Sequence, residues 1–148
     1  MRMTLHTDYA LRILIFVAAQ PSGICTVNDV VEAYGLSRHH LMKVAQHLRH
    51  LGFIGTTRGR AGGIRLAATP DKINIGALVR LTENDFGLVE CLEAGGGACT
   101  ISPACRLKGM FAEALDAYLA VLDRYTLGHV MQNRTLLRRL LGGMSDAA

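Results

Sequence analysis

The chain has 148 residues, half of them apolar, and a net charge of +4 at neutral pH. That length suits one compact domain, or a small domain with an appended element, and argues against two full domains. The apolar runs are too short and too often interrupted to span a bilayer. Charge is unevenly spread. Between Glu32 and Asp71 there is no acid, yet the interval holds Arg38, Lys43, Arg49, Arg58, Arg60 and Arg65, with His39, His40, His47 and His50. Between Arg80 and Arg106 the sign reverses, with Glu83, Asp85, Glu90 and Glu93 and no Lys or Arg. The first segment can meet phosphate; the second cannot.

The opening "MRMTLHTDYALRILIFVAAQPSG" places an apolar run after a basic residue, but Asp8 and Arg12 interrupt it and no small-x-small cleavage site follows. A folded amphipathic helix and a cytoplasmic protein are therefore expected. The spacing of Leu11, Leu14, Ile15 and Ala18 predicts a first helix over roughly residues 8–20, with Thr7 as N-cap. "TVNDVVEAYG" predicts a short second helix, started by a capping box at Thr26 and stopped at Gly35. "LSRHHLMKVAQHLRHLG" predicts a third, capped by Ser37. Its inner face is Leu41, Val44, Ala45, Leu48 and Leu51; its outer face is Arg38, His39, Lys43, Gln46, His47 and His50. The tight joint between these two helices is that of a helix-turn-helix.

"FIGTTRGRAGGIRLA" changes period to alternating β-formers around a Gly-rich tip, which predicts a β-hairpin. "PDKINIGALVRLTE" returns to helical spacing. After the acidic stretch, Leu107, Phe111, Ala114, Tyr118, Val121 and Tyr125 repeat at three-four spacing from Cys105 to Tyr125. So long a helix in so small a protein is expected to meet its copy in a homodimer. "TLLRRLLG" predicts a short closing helix and "GMSDAA" a frayed tail. The expected fold is mainly α with a small β-hairpin, a winged helix-turn-helix domain plus a long C-terminal dimerisation helix. The expected division is residues 1–82 for DNA binding, 83–105 for a cysteine loop, and 106–143 for the dimerisation and C-terminal helices.

A helix fits the major groove, where Arg or Lys pairs with guanine, Gln with adenine, and hydroxyls with bases or phosphates. Ser37, Arg38, His39 and His40 stand at the N-terminal end of the third helix, and Lys43 and Gln46 follow a turn later. Arg58 and Arg60 at the hairpin tip can reach an adjacent minor groove or its phosphates. Charge runs are commonly just solvated. Here the acid-free stretch coincides with the helix-turn-helix-hairpin order, and double-stranded DNA is the expected partner.

"CLEAGGGACTISPAC" puts Cys91, Cys99 and Cys105 in one glycine-rich loop, with Cys25 far upstream as a small buried hydrophobe. Reduced thiols in a local cluster favour metal or redox chemistry over disulfides. The C-x2-C pairs of a structural zinc finger are missing, and thiolates on a pliant glycine loop suit an iron–sulfur cluster. Three thiolates leave a four-iron cluster one ligand short. That ligand can be a non-cysteine residue, a group from a second subunit, or a small exogenous molecule.

"MRMTLHTDYALRILIFVA", "GRAGGIRLA", the three-cysteine loop and "CRLKGMFAEALDAYLAVLDRYTL" together resemble the Rrf family of winged-helix transcription regulators, and within it the nitric-oxide-sensing branch. The resemblance covers the chain except its last dozen or so residues. It implies a homodimeric repressor, on a palindromic operator, of nitric-oxide detoxification genes. Its cluster, [4Fe-4S] or alternatively [2Fe-2S], would be held by Cys91, Cys99 and Cys105, and its nitrosylation would release DNA. In the branch it resembles, the fourth ligand can be an aspartate of the first helix from the opposite subunit, matched here by Asp8. The iron–sulfur-biogenesis branch uses a histidine three residues past the third cysteine, where this chain has Lys108. The remaining alternative within the family is a regulator of iron–sulfur status or general redox state. A cluster-bearing enzyme or electron carrier leaves the acid-free block unexplained.

Overall fold

The computed structural model describes residues 2–59, 62–92, 95 and 97–142. Helix α1 spans Leu5–Ala19 and begins earlier than its apolar spacing suggests, because Thr4 and not Thr7 is the N-cap. Thr4 Oγ1 accepts from the Thr7 amide, while the Thr4 amide donates to Glu83 Oε1 at 2.8 Å. The cap is thus fixed by a residue 79 positions away. Helix α2 spans Val27–Tyr34 with the expected reciprocal box between Thr26 and Asp29, and it ends on Gly35 in the left-handed conformation at φ 62°. Helix α3 spans Arg38–His50 after Ser37.

Strands β2 (Ile54–Thr57) and β3 (Gly63–Leu66) form the antiparallel hairpin. A two-residue strand, β1 (Ile24–Cys25), adds to its far side, giving the order β1-β3-β2. Gly63 permits this pairing, since a side chain there would overlap the Cys25 carbonyl. A 3-10 turn at Pro70–Lys72 leads into α4 (Ile75–Thr82), capped by Asn74. Helix α5 spans Arg106–Asp123, a single turn α6 covers Leu127–Val130, and α7 covers Arg134–Leu140. The tail at 143–148 lies outside the described residues.

Fully buried Ile13, Leu14, Val17, Leu41, Leu48, Leu78 and Leu127 make one core from α1, α3, α4 and α6. The arginines of α7 complete the C-terminal end of α1, where carbonyls lack helical partners. Arg134 Nη2 donates to the Gln20 carbonyl at 3.1 Å, and Arg138 Nε donates to that of Ala19. The end of α5 is tied to the start of α4. Asn74 Nδ2 donates to the Asp123 carbonyl at 2.7 Å, and Arg80 Nη2 meets Asp123 Oδ2 at 2.7 Å. Gly76 must be small here, because a Cβ would overlap the Asp123 carboxylate.

The other end of α5 has no such support. Residues 106–111 are all exposed, and α5 has no buried residue. Leu119 and Leu122, outside the predicted stripe, are the side chains that pack on the core. Most of the predicted stripe faces outward: Leu107 is 55 % exposed, Val121 42 % and Tyr125 46 %.

Candidate nucleic-acid interface and cysteine loop

Helix α3 packs Leu41, Val44, Ala45 and Leu48 inward, so at 100° per residue its opposite face is left to solvent. On that face Ser37, Arg38, His39, His40, Lys43 and Gln46 are all exposed. The Ser37 side chain makes no cap bond, which leaves its hydroxyl available to a ligand. Arg38 Nε donates to Asn28 Oδ1 at 2.8 Å, which ties the start of α3 to α2 and fixes the guanidinium. His40 stacks obliquely near Tyr9 of α1, with centroids 6.5 Å apart. Arg58 is exposed in the hairpin loop, and Arg60 lies outside the described residues.

His47 differs from its sequence reading as an outward residue. It is half-buried, and its Nδ1 lies 2.8 Å from His6 Nε2 of α1. Burial, then the neighbouring His47, hold the His6 imidazole below its ordinary pKa, with Glu83 pulling the other way. Spacing along α3 could not show this pair, since it depends on where α1 crosses. Arg49 and His50 are exposed on the same face and extend the basic surface by another turn.

The cysteine loop connects α4 to α5. Cys91 sits in a 3-10 turn, Glu90–Leu92, whose Glu90 Oε1 accepts from the Ala98 amide at 3.2 Å. Cys99 accepts at its carbonyl from the Ser102 amide at 3.1 Å, and Cys105 is the N-cap of α5 without a side-chain cap bond. All three thiols are free and half-buried. Their chemistry fits an iron–sulfur cluster, which takes reduced thiolates. Within one chain, no three of the described His, Cys, Asp and Glu side chains converge as a metal-ligand group. Asp8 is in the first turn of α1, paired with Arg12 at 2.8 Å, and Arg12 in turn lies over the Tyr34 ring at 5.6 Å.

Cys25 behaves differently. It is 6 % exposed in the core, and burial, then Asp29, push its thiol up to about 12.

A helix-turn-helix followed by a hairpin, with a cationic outer face on the second helix, defines a winged-helix DNA-binding protein. The fold matches that of solved regulators. CymR, the global cysteine regulator of B. subtilis, is 27% identical with a TM-score of 0.70, over 88% of this chain and 95% of that one. T. potens IscR, at 21% identity and a TM-score of 0.72, shares the fold over 90% of this chain and 88% of its own. The family model Rrf2, described as iron-dependent transcriptional regulator, matches residues 3–133, and the chain belongs to that family. Among its relatives is the HTH-type transcriptional regulator NsrR of Bacillus subtilis (strain 168), 50% identical across 95% of this chain and 97% of that protein. The NsrR of Geobacillus kaustophilus is 48% identical over the same share of each chain. The protein is a DNA-binding transcriptional regulator, not an enzyme. Among the described residues no helix is long and apolar enough to cross a membrane.

Proposed function

We propose that this protein is a cytoplasmic, homodimeric repressor that senses nitric oxide through an iron–sulfur cluster. The observation that carries the reading is the trio of free, half-buried thiols on one loop, next to a helix whose apolar face its own chain leaves uncovered. Half-identity to NsrR proteins over nearly the whole length supports the choice of signal.

In this reading Cys91, Cys99 and Cys105 would hold the cluster, [4Fe-4S] in preference to [2Fe-2S], and three thiolates fall one ligand short of a four-iron cluster. Asp8 of the opposite subunit would supply the missing ligand in place of its pairing with Arg12. When bound, the cluster would supply the iron with which nitric oxide reacts, and the Asp8 carboxylate would leave that iron more accessible than a fourth thiolate would. Residues 83–105 are then the sensor, 106–143 the dimer contact and 1–82 the reader. Ser37, Arg38, His39, His40, Lys43, Gln46, Arg58 and Arg60 touch a palindromic operator. While Asp8 is held, α1 is fixed against the partner's loop, and the two α3 helices keep the spacing of successive major grooves. Releasing Asp8 frees α1, and half-site register is lost.

Anaerobic native mass spectrometry of the wild type and Asp8→Ala, paired with operator binding before and after nitric oxide, tests this. Expected are a dimer containing iron and sulfide, and a Kd that rises at least tenfold with nitric oxide. Asp8→Ala should keep the dimer but lose cluster or nitric-oxide response. Protein without acid-labile sulfide, or binding indifferent to nitric oxide, would sink the proposal. A response to peroxide or chelator but not to nitric oxide would move the assignment to iron–sulfur status or general redox sensing.

A further inference from the structure

The exposed face of α3 is polar except at one position. Met42, 46 % exposed, stands on the flank turned toward the hairpin. It lines an open groove of about 330 Å³ whose floor includes Val27, Ile54 and Ile64, and whose wall carries Lys43, Gln46 and Arg49. No acid is among the described lining residues. The cationic wall selects a polyanion, while the apolar floor and Met42 suit an apolar group carried by that polyanion. Duplex DNA presents one such group on its major-groove edge, the 5-methyl of thymine. The groove is also continuous with the basic face of α3, sharing Lys43, Gln46 and Arg49 with the neighbouring surface around His47 and His50.

We propose that Met42 reads a thymine methyl in each half-site, a specificity contact added to the polar ones named above. The inference rests on α3 being the base-reading helix. Methionine suits the task, because an unbranched, polarisable side chain can follow the methyl as the helix seats in the groove. Polar neighbours Lys43 and Gln46 then set position and hydrogen-bonded readout, and Met42 distinguishes thymine from cytosine or uracil by an apolar contact.

The test uses the full chain, purified anaerobically, and a duplex that it selects from a randomised pool. Each thymine is replaced in turn by deoxyuridine, which deletes the methyl and leaves the hydrogen-bonding edge intact, and Kd is read by fluorescence anisotropy at fixed salt. One symmetry-related pair of thymines should lose about fourfold in affinity per half-site, the effect of burying one methyl-sized group. Met42→Ala should bind the thymine and uracil duplexes alike. Lys43→Ala should weaken both equally and keep the methyl effect. Wild-type indifference at every thymine, or full methyl discrimination surviving in Met42→Ala, overturns the proposal. If the methyl effect is missing while Lys43→Ala still weakens binding, Met42 alone is wrong. If Lys43→Ala also binds normally, α3 is not the reader and the broader assignment falls with it.

Discussion

The chain before Glu83 closes into a core together with Leu127 of α6, and the segment from Glu83 to Tyr125 only borders it. Helices α1, α3 and α4 bury Ile13, Leu14, Leu41, Leu48 and Leu78 completely, whereas no described residue between 83 and 125 is buried. In the second region Ile101, Leu107 and Met110 are more than half exposed, and three thiols are left free. Exposed apolar side chains gathered on one helix beside three half-buried thiols set this region apart from the closed one. In the function proposed above, a second subunit and a cofactor would complete this surface, and the contrast would separate the part of the molecule that folds from the part that responds.

The largest effect should come from cutting into the closed region. Leu14→Ala removes a side chain with no exposed surface from the centre of α1, and it should cost about 2–5 kcal/mol in urea unfolding. Stabilities equal to the wild type would mean that the core around α1 is looser than its packing indicates. The open region should answer differently. Phe111→Asp, on an α5 segment exposed on all sides, should leave the fold intact and convert dimer to monomer in sedimentation equilibrium. A Phe111→Asp protein that still sediments as a dimer would place the subunit contact elsewhere.

That same contrast governs what could be read from the sequence. The α2 capping box, the inward face of α3, the hairpin and the burial of Cys25 were legible, because each depends on neighbours within a few residues or on period. The true start of α1 was not, since Thr4 is held by Glu83 from across the fold. Strand β1 was too short to carry a pattern and exists only because β3 offers it an edge. His47 looked like an outward residue until α1 placed His6 against it. The apolar repeat in α5 announced a helix correctly. It could not say which apolar side chains turn inward, and the ones that do, Leu119 and Leu122, fall between members of the predicted stripe. For the cysteine loop, the sequence offers three candidate donors on one segment, and among the described residues no three His, Cys, Asp or Glu side chains gather as a metal-ligand group within one chain.

The four cysteines carry the comparison down to single atoms. Cys25 is in the core, and its raised thiol means the folded protein holds that proton more tightly than the unfolded chain does. The stabilisation is therefore fully present below the thiol's ordinary value near 9 and is lost as pH rises toward about 12. At pH 8, in cluster-free protein, iodoacetamide should modify Cys91, Cys99 and Cys105 in the folded state and reach Cys25 only after denaturant is added. Substitution should sort the same way, with Cys25→Ala costing about 1 kcal/mol of stability and Cys99→Ala less than about 0.5 kcal/mol. Mass spectrometry of the labelled peptides decides the matter: early labelling of Cys25 would show that the sheet edge at β1 opens readily, and the boundary between the closed and open regions would then have to be redrawn through the winged domain itself.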